Sequence, residues 1–353
     1  MNKTINVNMI VLGREFRGFT QNELATEIDV YQGALSKMES GFAEVTEEIL
    51  NKIATKLNLP LPFFYQSGNI YPLGSNFYRK NKDVPKKVLV QIEAELNVRR
   101  MQVQKLLDAA EIDKDKIKHL EVDGDKYMTA SQIAIAIREC FNIPRGPIEN
   151  MTKIIEDVGI IVIHCDFGTR KFSGSRVITE KGNYIIFVNA NMPGDRLRFT
   201  LAHEFGHIIM HNIPSEKMEE EADEFASEFL MPTLDVRSQL SRLTFAKLGL
   251  LKKHWKVSMA ALIMRATQLR TITEVQRGHL WTNMGRRGYR IEEPIELNIM
   301  QEKPTLIKEI IDLHYGELGY VPQQLIELLA MNEEEYLKWY TDQKPTLKLI
   351  RVR

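Results

Sequence analysis

Residues 198–231 read RFTLAHEFGHIIMHNIPSEKMEEEADEFASEFLM, and the spacing of histidines and acids in this stretch sets the reading of the whole chain. His203 and His207 are four residues apart, which on a helix stacks them on one face, while Glu204 sits one position round. Two neutral imidazoles converging on one ion, beside a carboxylate able to act as base toward water, form the donor pattern of a zinc peptidase. The flanking Leu201, Ala202, Phe205, Ile208 and Ile209 predict that this helix is buried. The competing reading makes the two histidines ordinary core residues and the acidic run a solvated face, at the cost of stranding Glu204 among apolar neighbours.

A third ligand is expected from the next helix, whose apolar face is Ala222, Phe225, Ala226 and Phe229. Helical phase favours Glu219, with Glu220 as the competing ligand. Asp223, one turn beyond Glu219, is placed to accept the second ring N–H of one of the histidines and so orient it. His211 continues the face of His207 but lies too far along for a ligand, and is read as a rim or structural residue. Cys165, at the end of the β-branched run GIIVIHC (159–165), is read as a small core residue rather than a group that blocks the metal.

Working outward, the pattern predicts a helix over 195–210 with Asp195 as its N-cap, and a second over 217–230 stopped by Pro232. Upstream come helices through Cys140 and Glu156, a strand at 159–165, and strands at 174–178 and 184–189. The strand 184–189 is expected to be the edge that grips an extended substrate, with Tyr184 as a candidate oxyanion group. Residues 289–304 read as extended, and helices follow from Pro304 to about Tyr340.

The N-terminal 67 residues carry only helical periodicity, through Leu24, Ala25, Ile28, Leu35, Met38, Leu50, Ile53 and Leu57. FTQNELATEI, DVY and QGALSKMESG supply a positioning helix, a turn and a second helix, with Thr20 and Glu23 forming a capping box. A long helix is predicted from Pro85 to about Ala110, and residues 111–126 form the best candidate linker. The expected domains are 1–67, a helical connector over 68–130, a peptidase core over 131–240, and a helical region over 241–353 that partly braces it. The fold class is mainly α, with an all-α N-terminal domain and an α+β zinc-peptidase domain.

RFTLAHEFGHIIMH followed by EEEADEFASEFLMP resembles the ImmA/IrrE-type metallopeptidases. The resemblance implies zinc held by His203, His207 and Glu219, with Glu204 as the catalytic base, and a repressor-type protein as substrate in a phage-related or stress-response switch. Residues 14–57 resemble the XRE/Cro-type helix-turn-helix domain, which implies a double-stranded DNA operator as partner and a homodimer as a candidate assembly. It also implies that Gln21 approaches the backbone while Gln32, Gly33, Ser36 and Lys37 face the groove, Gln32 being suited to adenine. Departures from that pattern are Tyr31 at the cap of the recognition helix and Gly33, which removes a reading side chain. A fainter echo at 250–269 offers Lys252, Lys253 and Lys256 either to DNA or, as we favour, to bracing the site.

Composition sets outer bounds. Net charge is zero, with six Lys/Arg against eight Asp/Glu in residues 1–67 and eight against three in 79–105, so part of any phosphate contact is expected from the second segment. No stretch is apolar enough to span a membrane, no secretory leader is evident, and the two cysteines form no CxxC pair, which together suggest a cytoplasmic protein. Two functions fit: a DNA-binding regulator with zinc-dependent endopeptidase activity, or a transcription factor whose zinc site is structural or ligand-sensing.

Overall fold

A computed structural model of the chain describes residues 4–73, 81–110, 128–211 and 215–341. The linker expected at 111–126 lies outside them. Two compact units are present: residues 1–112, 177–182 and 306–353 make one, and 113–176 with 183–305 the other. The region 241–353 is therefore divided at Thr305, its first part belonging to the second unit and its last helices to the first.

The first unit opens with α1 (Val7–Phe16), α2 (Gln21–Glu27), α3 (Gln32–Glu39) and α4 (Glu47–Leu57). Local chemistry sets their starts. Asn6 and Thr46 accept from backbone N–H groups of α1 and α4, and Thr20 and Glu23 form the reciprocal capping box of α2. Their apolar faces meet around Met9, Leu24, Leu35, Ile53 and Phe64, all fully buried. The long α5 (Lys86–Asp108) adds Ala94, Val98 and Met101 to this core. The unit is completed by α13 (Leu306–Gly316), α14 (Pro322–Leu329) and α15 (Glu333–Tyr340). The Arg99 guanidinium lies 3.7 Å from the centre of the Trp339 ring, and the Tyr340 hydroxyl donates to Gln102 Oε1 at 2.8 Å.

The second unit holds α6 (Ala130–Cys140), α7 (Met151–Asp157), β1 (Ile161–Cys165), the first three residues of β2 (Gly174–Ile178) and β3 (Tyr184–Asn189). It continues with α8 (Gly194–Met210), α9 (Met218–Leu230), α10 (Phe245–Trp255), α11 (Met259–Gln268) and α12 (Glu274–Arg286). The sheet order is β1-β3-β2, with β1 and β3 parallel from Ile161 opposite Ile185 to Cys165 opposite Asn189. The strand 184–189 is thus central, correcting its expected place at the edge. Its residues Ile185 to Val188 are fully buried, as a strand covered on both faces of the sheet is. The edges on either side of it are β1 and β2.

α8 begins at Gly194 with Pro193 as its cap residue, so Asp195 is not the N-cap but lies in the first turn. Close approach of backbone explains the glycine: a Cβ there would stand 2.4 Å from the carbonyl oxygen of Ile299. Asp195 instead pairs with Lys252, whose ammonium also meets Glu293 at 2.8 Å and is almost wholly buried. Lys256 pairs with Glu149 at 2.7 Å. Two of the three lysines offered by the 250–269 stretch therefore tie α10 to the rest of the unit.

Candidate metal centre and helix-turn-helix surface

Helical spacing and burial bring the site together. On α8, His203, Glu204 and His207 are 8 %, 2 % and 0 % exposed, and the Nε2 atoms of the two histidines lie 3.1 Å apart. α9 packs across α8 through Phe225 and Phe229 against Phe205. That contact carries the acidic run over the histidine pair. Glu219 places Oε2 at 3.5 Å from His203 Nε2 and Oε1 at 3.4 Å from His207 Nε2. His203, His207 and Glu219 form a group that could hold a metal ion, and Glu220 is exposed outside it.

Each histidine is held from behind. Asp223 Oδ1 is 2.8 Å from His203 Nδ1. His207 Nδ1 meets His211 Nδ1 at 2.9 Å, and the far side of the His211 ring, Nε2, meets Glu221 Oε2 at 2.9 Å. His211 is therefore not among the candidate ligands, but it touches one of them. Burial lowers the His207 pKa to about 4, so at neutral pH the ring is uncharged with a lone pair to offer. Burial likewise lowers that of His211.

Glu204 faces Arg176 of β2, Oε2 to Nη1 at 3.3 Å. The sequence reading missed Arg176, because nothing local distinguishes an arginine on a short strand. Only the turning of the sheet edge toward α8 does so. Tyr184 packs against the apolar core, and burial pushes its phenol pKa up. Cys165 is buried on β1 and stands outside the metal group.

In the first unit the nominated contact residues lie on α2 and α3. Gln32 and Lys37 are exposed, and Gln32 donates to Gln21 Oε1 at 2.9 Å while Gln21 donates to Glu39 Oε2 at 2.7 Å. Gly33 has open space around its Cβ position, and Ser36 is half-buried. Tyr31 makes no side-chain cap and is 89 % exposed. Glu39 also closes a buried ion pair with Arg14 at 2.6 Å.

Comparison with protein families gives two matches. Residues 14–64 match the family model described as helix-turn-helix, and residues 155–267 match that of the IrrE N-terminal-like domain, a peptidase family. No curated protein matches the chain. The chain thus joins a segment of a DNA-binding, transcription-regulating type to a metallopeptidase-type domain that carries the His203, His207 and Glu219 group. No helix among the described residues is long and apolar enough to cross a membrane.

Proposed function

Proceeding from a helix-turn-helix joined to an IrrE-like peptidase domain, we propose that this chain is a DNA-binding regulator with zinc-dependent endopeptidase activity. Its substrate is a repressor-type protein or the chain itself. The observation that carries the reading is the spacing of the donor atoms. Ligand atoms about 2.0–2.1 Å from one tetrahedral zinc stand roughly 3.3 Å from each other; the Nε2 atoms of His203 and His207 are 3.1 Å apart, and the Glu219 carboxylate reaches both rings, Oε2 at 3.5 Å from His203 and Oε1 at 3.4 Å from His207. The chemistry of the set, two imidazoles and a carboxylate, suits zinc and leaves a fourth position open, as hydrolysis needs. A zinc ion bound there would act as a Lewis acid toward the scissile carbonyl and make water more acidic.

The chain's own residues supply the rest. Glu204 takes a proton from the attacking water as the new C–O bond forms, then delivers it to the leaving nitrogen as the C–N bond breaks. Asp223 accepts from His203 Nδ1 and so keeps Nε2 free to bind metal. The β2 edge offers backbone groups to an extended substrate, and Arg176 on that strand holds Glu204 in place. The second reading, a regulator whose zinc site does no hydrolysis, draws on that same Arg176 contact, which engages the base.

The experiment is Glu204→Gln in the full chain, incubated with zinc, DNA and candidate repressors and analysed by mass spectrometry for cut sites. Zinc binding is expected to stay near wild type while cleavage falls at least about 100-fold. Unchanged cleavage would sink the mechanism, and no cleavage by the wild type would favour the second reading.

A further inference from the structure

We infer that His211 and Glu221 are positioning residues for His207, forming a two-step hydrogen-bond chain that matches the single step from Asp223 to His203. The inference rests on the proposal that His207 binds the metal. Proton arithmetic leads to it. To offer Nε2 to an ion, His207 must carry its proton on Nδ1, and that proton points at His211 Nδ1 2.9 Å away. His211 can accept there only if its own proton sits on Nε2, which faces the Glu221 carboxylate at 2.9 Å. One arrangement of two neutral rings and one carboxylate satisfies all four atoms. It is also the arrangement that leaves the His207 lone pair free.

The packing suits such a role. The side chains of His207 and His211 are 0 % and 4 % exposed, so neither ring can readily substitute water for its partner. Glu221, 27 % exposed, is the end that meets solvent. Its position in the chain completes the logic of the acidic run. Glu219 faces the histidine pair, Asp223 backs His203, and Glu221 backs His207 through His211, so three acids at alternate positions of α9's first two turns all serve one centre. Glu220 stands exposed between them. An outer partner of this kind orients a metal-binding imidazole and raises its basicity, and its loss commonly weakens metal binding about 10- to 100-fold.

The test measures zinc affinity of the full chain by competition with a chromophoric chelator, with visible absorption of the cobalt-substituted protein as a second readout. His211→Leu is expected to weaken zinc binding about 10-fold or more and to alter the cobalt bands. His211→Asn, whose amide oxygen can accept where Nδ1 did, should recover most of that loss. Glu221→Leu, at a partly exposed position that does not threaten folding, should weaken binding severalfold alone and add nothing in the His211→Leu background, because it acts through that ring. Wild-type affinity in His211→Leu, equal losses in the Leu and Asn variants, or additive losses in the double variant would each overturn the inference. His207→Ala separates the two proposals: if it keeps wild-type zinc affinity the metal site itself is wrong, whereas its loss beside an unaffected His211→Leu refutes only the positioning chain.

Discussion

His164 stands on β1 with its Nε2 buried and without a hydrogen-bond partner among the described residues, and burial lowers its pKa to about 4. Above about pH 6.5 the ring is neutral in both folded and unfolded chains. As pH falls from there toward 4 the unfolded chain takes up a proton that the folded one resists, so stability present above pH 6.5 is lost across that window. His164→Leu is expected to shrink this loss by about 1–2 kcal/mol, less than the full shift would give because the ring is partly exposed. Urea unfolding of both proteins at pH 7 and pH 4.5 measures the difference. At this scale the sequence was legible where partners are close along the chain. His203, Glu204 and His207 are ordered by a single turn of helix. The contact of Arg176 with Glu204, 28 residues apart, has no such local signature.

The joint between α8 and α9 is set by Gly206, the fourth residue of HEFGH. A Cβ there would stand 2.8 Å from Phe225 Cδ1 and 3.2 Å from Phe225 Cβ, so the glycine lets the two helices approach. Gly206→Ala would gain about 1 kcal/mol of helix propensity but force the helices apart. A net loss of about 1–3 kcal/mol is expected, with weaker zinc binding as Glu219 moves away from the histidines. Thermal melting and zinc titration of the variant check both. On the helix-turn-helix elements, Arg14, Arg17, Lys52 and Lys56 are all engaged in ion pairs, which leaves Lys37 as the cation outside one among described residues 4–67. The salt dependence of DNA binding should therefore be shallow, with a log–log slope no steeper than about −4, and Lys37→Ala should reduce it by about 1. Anisotropy titrations of duplex DNA at several salt concentrations measure the slope, and one near −8 would contradict the expectation. The start of α2 was readable because Thr20 and Glu23 act within one turn, whereas α8 starts one residue before the expected Asp195 cap, at a Gly194 placed by contact with the distant Ile299. The place of β3 in the sheet was not readable, because hydrophobicity tells that a strand is buried and not which strands flank it.

Across the second unit, segments distant in sequence are joined by buried ion pairs. Arg265 on α11 meets Glu228 on α9, each side chain 3 % exposed, and also donates to the carbonyl of Met231. Arg198 on α8 meets Glu302, whose carboxylate also accepts from Thr152 N at 2.7 Å. Arg265→Ala leaves a buried carboxylate without its cation and should cost about 3–5 kcal/mol, while Arg265→Met with Glu228→Gln should recover most of it. Urea midpoints of the single and double variants decide this. The amino-acid sequence by itself determined the mainly helical class, the Thr20–Glu23 capping box among the helices of the first 67 residues, and the stacking of His203 and His207 on one helical face. Each follows from interactions within about four residues, which a one-dimensional pattern records. Tertiary structure alone decided that β2 rather than β3 forms the edge beside Glu204, that His211 backs His207, and that the chain divides at Thr305. Those depend on how helices and strands pack across tens of residues, and packing is fixed by shape and charge in three dimensions that no spacing along the chain encodes.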